Sequence, residues 1–145
     1  MKKSDEPIVV EQVLNASMDT VWKSITEIDL MRQWYFDNIP SFRPEAGFET
    51  QFTIEHEGRV FPHKWKVTGV VPGRKIVYTW RFDGYAGDSY VAFELSEQGG
   101  STKLRLTAIV TEDFPEGIPE LTRESCIGGW EYFIQQSLKA FVEKQ

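Results

Sequence analysis

The stretch 47–112 reads GFETQFTIEHEGRVFPHKWKVTGVVPGRKIVYTWRFDGYAGDSYVAFELSEQGGSTKLRLTAIVTE, and it decides the fold. Large and polar side chains alternate along it with a period of two, as where Phe61, Trp65 and Val67 are separated by Lys64 and Lys66. This period is typical of strands with one buried face. Turn signals at Glu57-Gly58, Val71-Pro72-Gly73-Arg74, 84–88 and Gln98-Gly99-Gly100-Ser101 divide the stretch into five strands. The pattern predicts an antiparallel meander with one apolar and one polar face.

Shorter segments precede the meander. Residues 6–16 are rich in Val, Ile and Leu and predict a further strand. Ser17 is a good N-cap for a helix over residues 18–27, and Asp29 for a second helix over residues 30–35.

A long helix is predicted after the meander, with Pro119 as its first residue. Because a sheet with one apolar face must be covered, this helix is the expected cover. We predict an α+β helix-grip fold in one domain over residues 1–145: a curved six-stranded antiparallel sheet around the C-terminal helix. The apolar stripe of that helix has steps of three and four residues and consists of Cys126, Ile127, Trp130, Ile134, Leu138 and Phe141.

Two glycines interrupt this apolar stripe. Gly128 and Gly129 each cost about 1 kcal/mol relative to Ala in a helix interior. They indicate either a kink or close helix–sheet approach, or room for a ligand, and the sequence leaves both readings open.

Composition excludes several classes of protein. With 41% hydrophobic and 14% aromatic residues, the 145-residue chain is not mainly disordered. A net charge of -6 disfavours nucleic acid as a partner, and no apolar run reaches the roughly 20 residues of a membrane span. Its single cysteine, Cys126, excludes an internal disulfide. The N-terminal residues lack the apolar segment of a secretory signal, so we predict a cytoplasmic protein, and we expect a monomer.

Several short motifs resemble one known family. They are VWKSIT (21–26), GVVPGRKIVYTWRF (69–82), VAFEL (91–95), GGSTKLRL (99–106) and the closing Gly129-Trp130. These segments are similar to the activator of 90-kDa heat-shock-protein ATPase homologue family, within the START-like or birch-pollen-allergen-like helix-grip superfamily. The resemblance covers residues 8–142, and its motifs set turns and core rings without supplying a catalytic signature.

The resemblance implies an apolar cavity between the sheet and the C-terminal helix. Members of the superfamily mostly resemble binders of lipids, polyketides or other hydrophobic small molecules, and some relatives are cyclases or aromatases. The eukaryotic chaperone activators carry a separate domain ahead of this one. We expect no such domain here, because the first strand begins within the first ten residues.

Large inward side chains are the candidates for a cavity lining. An ordinary core explains any one of them, because buried rings usually only pack. As a set they favour a cavity, since Trp and Tyr bring N–H and O–H groups that need partners within apolar walls. The predicted lining consists of Phe48, Phe52, His63, Trp65, Tyr78, Trp80, Phe93, Leu106, Cys126, Trp130 and Ile134.

The sequence contains no catalytic or metal-binding motif. No nucleophile elbow, phosphate loop or dinucleotide fingerprint occurs, so we predict no catalytic residue and no cofactor. His63 is expected in the cavity wall and His56 at a solvated turn, and with one cysteine they lack the spacing of a metal site. Cys126 is expected to be buried and inert.

An acidic segment and a loop lead into the last helix. The acidic side chains are expected to favour the helix N-terminus and solubility. The loop 113–119, with Phe114 and Ile118 expected to be exposed, is a candidate lid at the cavity mouth. The acidic residues are Glu112, Asp113, Glu116, Glu120 and Glu124.

Three functions are compatible with these features. The leading hypothesis is binding of a hydrophobic or aromatic small molecule, lipid-like or polyketide-like, without catalysis. The second is a cyclase or aromatase, which needs a positioned acid–base pair such as His63 with Tyr78 or with an inward Glu or Arg. The third is a stress-related co-chaperone that contacts a heat-shock ATPase and stimulates it, which follows from the family resemblance alone.

Overall fold

The computed structural model of the protein describes residues 1–144, and six strands form one antiparallel sheet. The order across the sheet is β1-β6-β5-β4-β3-β2, so the first strand pairs with the last strand of the meander. The predicted six-stranded sheet is confirmed. The strands are β1 Ile8–Leu14, β2 Glu49–His56, β3 Arg59–Val71, β4 Lys75–Phe82, β5 Asp88–Gln98 and β6 Ser101–Glu112.

The register of the sheet places the apolar set on one face. In β3, His63, Trp65 and Val67 are buried, whereas the intervening Lys66 is exposed. The pairing of β3 with β4 shifts between Val67 and Gly69, which marks a β-bulge. Because a bulge bends its strand and increases the local twist, it helps this sheet to curve around the helix.

Two short helices connect β1 to β2, namely α1 over Met18–Thr26 and α2 over Ile28–Trp34. Ser17 caps α1 as predicted, because its Oγ accepts the Thr20 N–H at 3.1 Å. The prediction that Asp29 caps α2 is wrong. Glu27 holds that position with extended backbone, and its carbonyl accepts the first bonds of α2, so the helix begins two residues earlier than predicted.

The C-terminal helix begins later than predicted. Pro119 starts a 3-10 turn, Pro119–Leu121, and not the helix itself. Thr122 then caps α3, which runs over Arg123–Glu131, because its Oγ1 accepts the Ser125 N–H at 3.2 Å. The helix continues through a π-helical segment, Tyr132–Leu138, into α4, Lys139–Val142.

Sheet and helix close around a common core. The buried side chains of the C-terminal helix recur every four residues and belong to the same cluster as the inner face of the sheet. A curved antiparallel sheet gripping a C-terminal helix is the helix-grip arrangement, of α+β class. In the described range 1–144, no helix has the length and apolar character required to cross a membrane. The helix residues in the core are Trp130, Ile134, Leu138 and Val142.

Candidate functional site

The inner face of the sheet divides into a packed region and a region that borders a cavity. Seven of the eleven predicted lining residues do not border the cavity. Six of them are buried in the core, and Phe48 packs against it partly buried. We call these seven, with Tyr35, the packed region: Phe48, Phe52, Trp65, Tyr78, Phe93, Leu106 and Ile134.

Tyr35, at the end of α2, occupies the centre of the packed region. Its ring stacks on Trp34 with centroids 4.5 Å apart and on Trp65 at 5.4 Å. Its hydroxyl lies 2.9 Å from the Tyr78 hydroxyl, and burial raises the pKa of both groups above their ordinary value. Sequence reasoning missed this residue, although the consecutive rings at 34–36 were a signal that α2 delivers aromatic side chains to the core.

A cavity of about 170 Å³ lies beside the packed region. Four predicted lining residues border it: His63, Trp80, Cys126 and Trp130. They come from β3, β4 and α3, so the cavity lies between the sheet and the C-terminal helix. Further apolar wall comes from residues that sequence reasoning did not select, including Ile8, Phe82, Val91, Ala108, Val110 and Phe133.

The two glycines of α3 have open space where a side chain would project. A Cβ added to Gly128 or Gly129 would meet no heavy atom within 4 Å, so the close helix–sheet approach considered from the sequence is wrong. Gly129 borders the cavity, whereas Gly128 is exposed. A larger residue at Gly129 would narrow the cavity.

His63 presents a fixed polar group to the apolar wall. The residue is 6% exposed, and its Nδ1 lies 2.9 Å from the Phe61 carbonyl oxygen. Because a carbonyl oxygen only accepts, Nδ1 carries a proton. Burial lowers the pKa of His63 to about 4, so the ring is neutral at pH 7 and its Nε2 is an acceptor.

Cys126 is the second polar group in the wall that sequence reasoning selected. Burial raises the pKa of its thiol to about 11, and a hydrogen bond from the Trp130 side chain lowers it only in part. The thiol is therefore protonated at neutral pH, and it is a weak nucleophile in that state.

An ion-pair cluster stands at the edge of the cavity. Arg59 donates from Nε and Nη2 to the two carboxylate oxygens of Glu120, at 2.8 Å each, and His56 Nδ1 lies 2.7 Å from Glu120 Oε2. These hydrogen bonds, with Arg59 first, lower the pKa of Glu120 to about 2. Glu120 thus links the 3-10 turn to the β2–β3 hairpin. The sequence predicts only a favourable charge near a helix N-terminus, whereas the structure gives Glu120 two defined side-chain partners.

His56, Glu57 and Glu120 also have the chemistry of a metal-binding group. Their ligand atoms all lie within 4.8 Å of one another. Arg59, however, already occupies both carboxylate oxygens of Glu120 and also lies 3.4 Å from Glu57. The Arg59 guanidinium already supplies the positive charge that a metal ion would bring to these carboxylates, so the cluster is an ion-pair network.

The loop that leads to the C-terminal helix is packed down. Phe114 is only 4% exposed and forms a small cluster with Phe61 and Leu121, so the prediction that it is exposed is wrong. Its backbone N–H donates to the Met1 carbonyl at 2.9 Å. Gly87, with φ 108°, lies so close that a Cβ there would come within 2.5 Å of the Phe114 ring. The loop closes one end of the cavity.

The His63–Tyr78 pair considered from the sequence is not assembled in the cavity. Tyr78, the acid considered as a partner for His63, does not border the cavity and is paired with Tyr35. Of the alternative partners considered for His63, a Glu and an Arg do border the cavity, namely Glu120 and Arg123.

Comparison with solved structures places the fold among known proteins. Protein CV1439 from Chromobacterium violaceum is 23% identical with TM-score 0.78, over 94% of this chain and 96% of that one. The Aha1 dimer from Colwellia psychrerythraea is 20% identical with TM-score 0.72, over 96% and 97%. DynU16, a protein of the dynemicin biosynthetic locus, is 21% identical with TM-score 0.75, over 96% of this chain and 48% of that one. At these identities the likeness shows the fold alone.

Sequence comparison identifies the family. Among curated proteins, no significant match is found. The family model described as Activator of Hsp90 ATPase homolog 1-like protein matches residues 15–143. That range contains all of the motifs whose resemblance was noted above, together with β2 to β6 and the C-terminal helix. The chain therefore belongs to the family of Activator of Hsp90 ATPase homolog 1-like proteins.

Proposed function

We propose that this protein binds a small hydrophobic or aromatic molecule, without catalysis, in the cavity between the sheet and the C-terminal helix. The observation that carries the proposal is the cavity itself. Its wall is mainly apolar, and it also includes His63, Ser89 and four charged residues, namely Asp5, Glu6, Glu120 and Arg123. Small-molecule sites have this composition.

The volume of the cavity limits the size of the ligand. At about 170 Å³ it is smaller than the roughly 300–1,000 Å³ of drug-sized sites. It is close to the roughly 150 Å³ of an engineered apolar cavity that takes benzene. A molecule of one ring therefore fits better than the large lipid or polyketide considered from the sequence.

Amide NMR with a graded panel of toluene, naphthalene and decane tests the proposal. We expect toluene to shift amides beside the cavity, at Val91, Ala108 and Phe133, and to leave Trp65 and Ile134 unchanged. If no compound in the panel moves the cavity amides, the proposal fails.

The paired glycines supply a matched control for that experiment. Gly129→Leu should abolish the toluene shifts, because Gly129 borders the cavity and has open space where a side chain would project. Gly128→Leu should bind toluene like the parent, because that position is exposed. Equal binding by both variants would place the ligand elsewhere.

An enzyme of the cyclase type is the second candidate, and the presence of His63 in the cavity wall is the observation that favours it. A general base with a pKa of about 4 is weak at neutral pH, and its predicted partner Tyr78 is occupied by Tyr35. We therefore expect no turnover of a cyclisable polyketide analogue. Turnover that His63→Phe abolishes would make the protein an enzyme.

A stress-related co-chaperone role is supported by family membership alone. We expect equal rates in a heat-shock ATPase assay with and without this protein, and a stimulated rate would reverse that view. A single domain over 1–145, a monomeric state and a cytoplasmic location stay predictions from the sequence.

A further inference from the structure

The geometry points to a definite ligand class: a neutral, one-ring molecule that carries a hydroxyl, with phenol as its simplest member, donating its hydrogen bond to His63 Nε2. This inference rests on the proposed function and adds the polar recognition that an apolar wall alone does not provide.

The orientation of the His63 ring is fixed by its neighbours. Nδ1 donates to the Phe61 carbonyl at 2.9 Å. The ring stacks on Phe52 with centroids 5.0 Å apart and meets the edge of Phe82 at 4.8 Å. The ring contacts hold the plane of the ring, and a half-turn flip within that plane would break the hydrogen bond from Nδ1, so Nε2 is held as the acceptor.

Nε2 is unpaired and accessible. Within residues 1–144 it has no hydrogen-bond partner, and the fully enclosed unpaired side-chain atoms in that range are Thr50 Oγ1 and Trp65 Nε1. Nε2 is not one of these two enclosed atoms, so part of its surface is accessible. His63 as a whole is only 6% exposed, and it borders the cavity. An acceptor that opens onto an apolar cavity is satisfied when the ligand brings a donor.

The same geometry disfavours a carboxylate ligand. A neutral imidazole whose Nδ1 is already engaged offers a lone pair to the cavity, and burial lowers the pKa of His63 to about 4. A carboxylate has no proton to donate and would be repelled. Arg123 also borders the cavity, with Nη1 donated to the Glu6 carbonyl at 2.6 Å, but it is outnumbered there by the carboxylates of Asp5, Glu6 and Glu120.

Calorimetric titration of the parent protein with phenol, toluene and benzoate tests the inference. The three probes are similar in size. Phenol carries a hydrogen-bond donor, toluene carries no polar group, and benzoate carries a negative charge. We expect phenol to bind at least as tightly as toluene, although phenol must give up its hydrogen bonds to water. We expect benzoate to bind more weakly than either.

His63→Phe removes the acceptor and keeps a ring in place. In this variant phenol should bind about tenfold more weakly, because its hydroxyl would be buried without a partner. Toluene should change by about twofold or less, because a ring still lines the wall. His56→Phe is the matched control, because it makes the same substitution at a histidine that does not border the cavity, and it should leave the ratio of phenol to toluene affinity unchanged.

The outcomes separate this inference from the proposed function. Binding of neither phenol nor toluene would overturn both. Toluene binding with an unchanged phenol-to-toluene ratio in His63→Phe, or benzoate binding more tightly than phenol, would overturn the inference alone. If His63→Phe does not fold, imidazole ¹⁵N NMR of the parent decides: phenol must move the Nε2 resonance and toluene must not.

Discussion

The packed region and the cavity are built on the same face of the same sheet, yet one is filled and the other is open. Each is walled by aromatic rings from β3 and β4. In the packed region, Tyr35 reaches in from α2 and contacts the rings of Trp65 and Phe93. In the cavity, the C-terminal helix offers Gly129, which has no side chain. The comparison teaches that the covering helices, and not the sheet, decide where space is left.

The largest effect is expected when equivalent rings are removed from the two regions. Phe93 is 1% exposed in the packed region, so Phe93→Ala should lower the free energy of unfolding by about 3–5 kcal/mol. Phe133 is half-buried and borders the cavity, so Phe133→Ala should cost about 1–2 kcal/mol, because contacts are already missing on one side. Urea unfolding measures both. Equal losses would mean that the two regions are equally packed.

The pH dependence of stability should carry the signature of His63. Its pKa is 6.5 when solvated and about 4 in the fold, so below pH 6.5 the unfolded chain binds a proton that the folded chain does not. The contribution of His63 to the free energy of unfolding should be fully present above pH 6.5. The free energy of unfolding should fall by about 3 kcal/mol as the pH drops to 4.

Carboxyl groups also titrate in this pH range, and comparing the parent with His63→Phe separates the contribution of His63 from theirs. The difference in unfolding free energy between pH 7 and pH 4 should be smaller in the variant by that amount. A parallel pH profile for the two proteins would show that His63 titrates normally and is solvated.

The sequence predicts the sheet better than the site, for a physical reason. Strand positions follow from a period of two, which neighbouring residues fix locally. The packing between the sheet and its covering helices depends on the contact between Tyr35 and Tyr78. These residues are 43 positions apart in the chain, and no local pattern shows that they meet. His63 was identified from its strand face, whereas its fixed tautomer depends on the Phe61 carbonyl.

The start of the C-terminal helix shows the same limit at shorter range. Pro119 and Thr122 are both acceptable residues for the start of a helix, and no local feature favours the second. Glu120 is tied to the β2–β3 hairpin through Arg59, a contact between residues 61 positions apart. That contact holds the 3-10 turn ahead of the helix proper, so the choice is made by tertiary structure.

A moderate effect is expected from the hydroxyl pair of the packed region. Tyr35→Phe should cost about 1–3 kcal/mol, because it leaves the Tyr78 hydroxyl buried without its partner. The double variant Tyr35→Phe/Tyr78→Phe should recover part of that loss, since both polar groups are then gone. Thermal unfolding of the parent, the two single variants and the double variant gives the coupling energy between the two hydroxyl groups. Additive losses in the double variant would show that the hydroxyls do not depend on each other.

The smallest effect is also the closest test of the comparison, because it uses adjacent positions of one helix. Gly128→Ala and Gly129→Ala should each raise the free energy of unfolding by up to about 1 kcal/mol, since Ala favours a helix interior and neither Cβ meets an atom within 4 Å. Gly129 borders the cavity and Gly128 does not, so only the Gly129→Ala variant should bind toluene more weakly. Thermal unfolding with and without toluene measures both quantities. If Gly128→Ala weakens toluene binding as much as Gly129→Ala, the glycines act through helix flexibility, and the open space beside Gly129 is not what distinguishes the two regions.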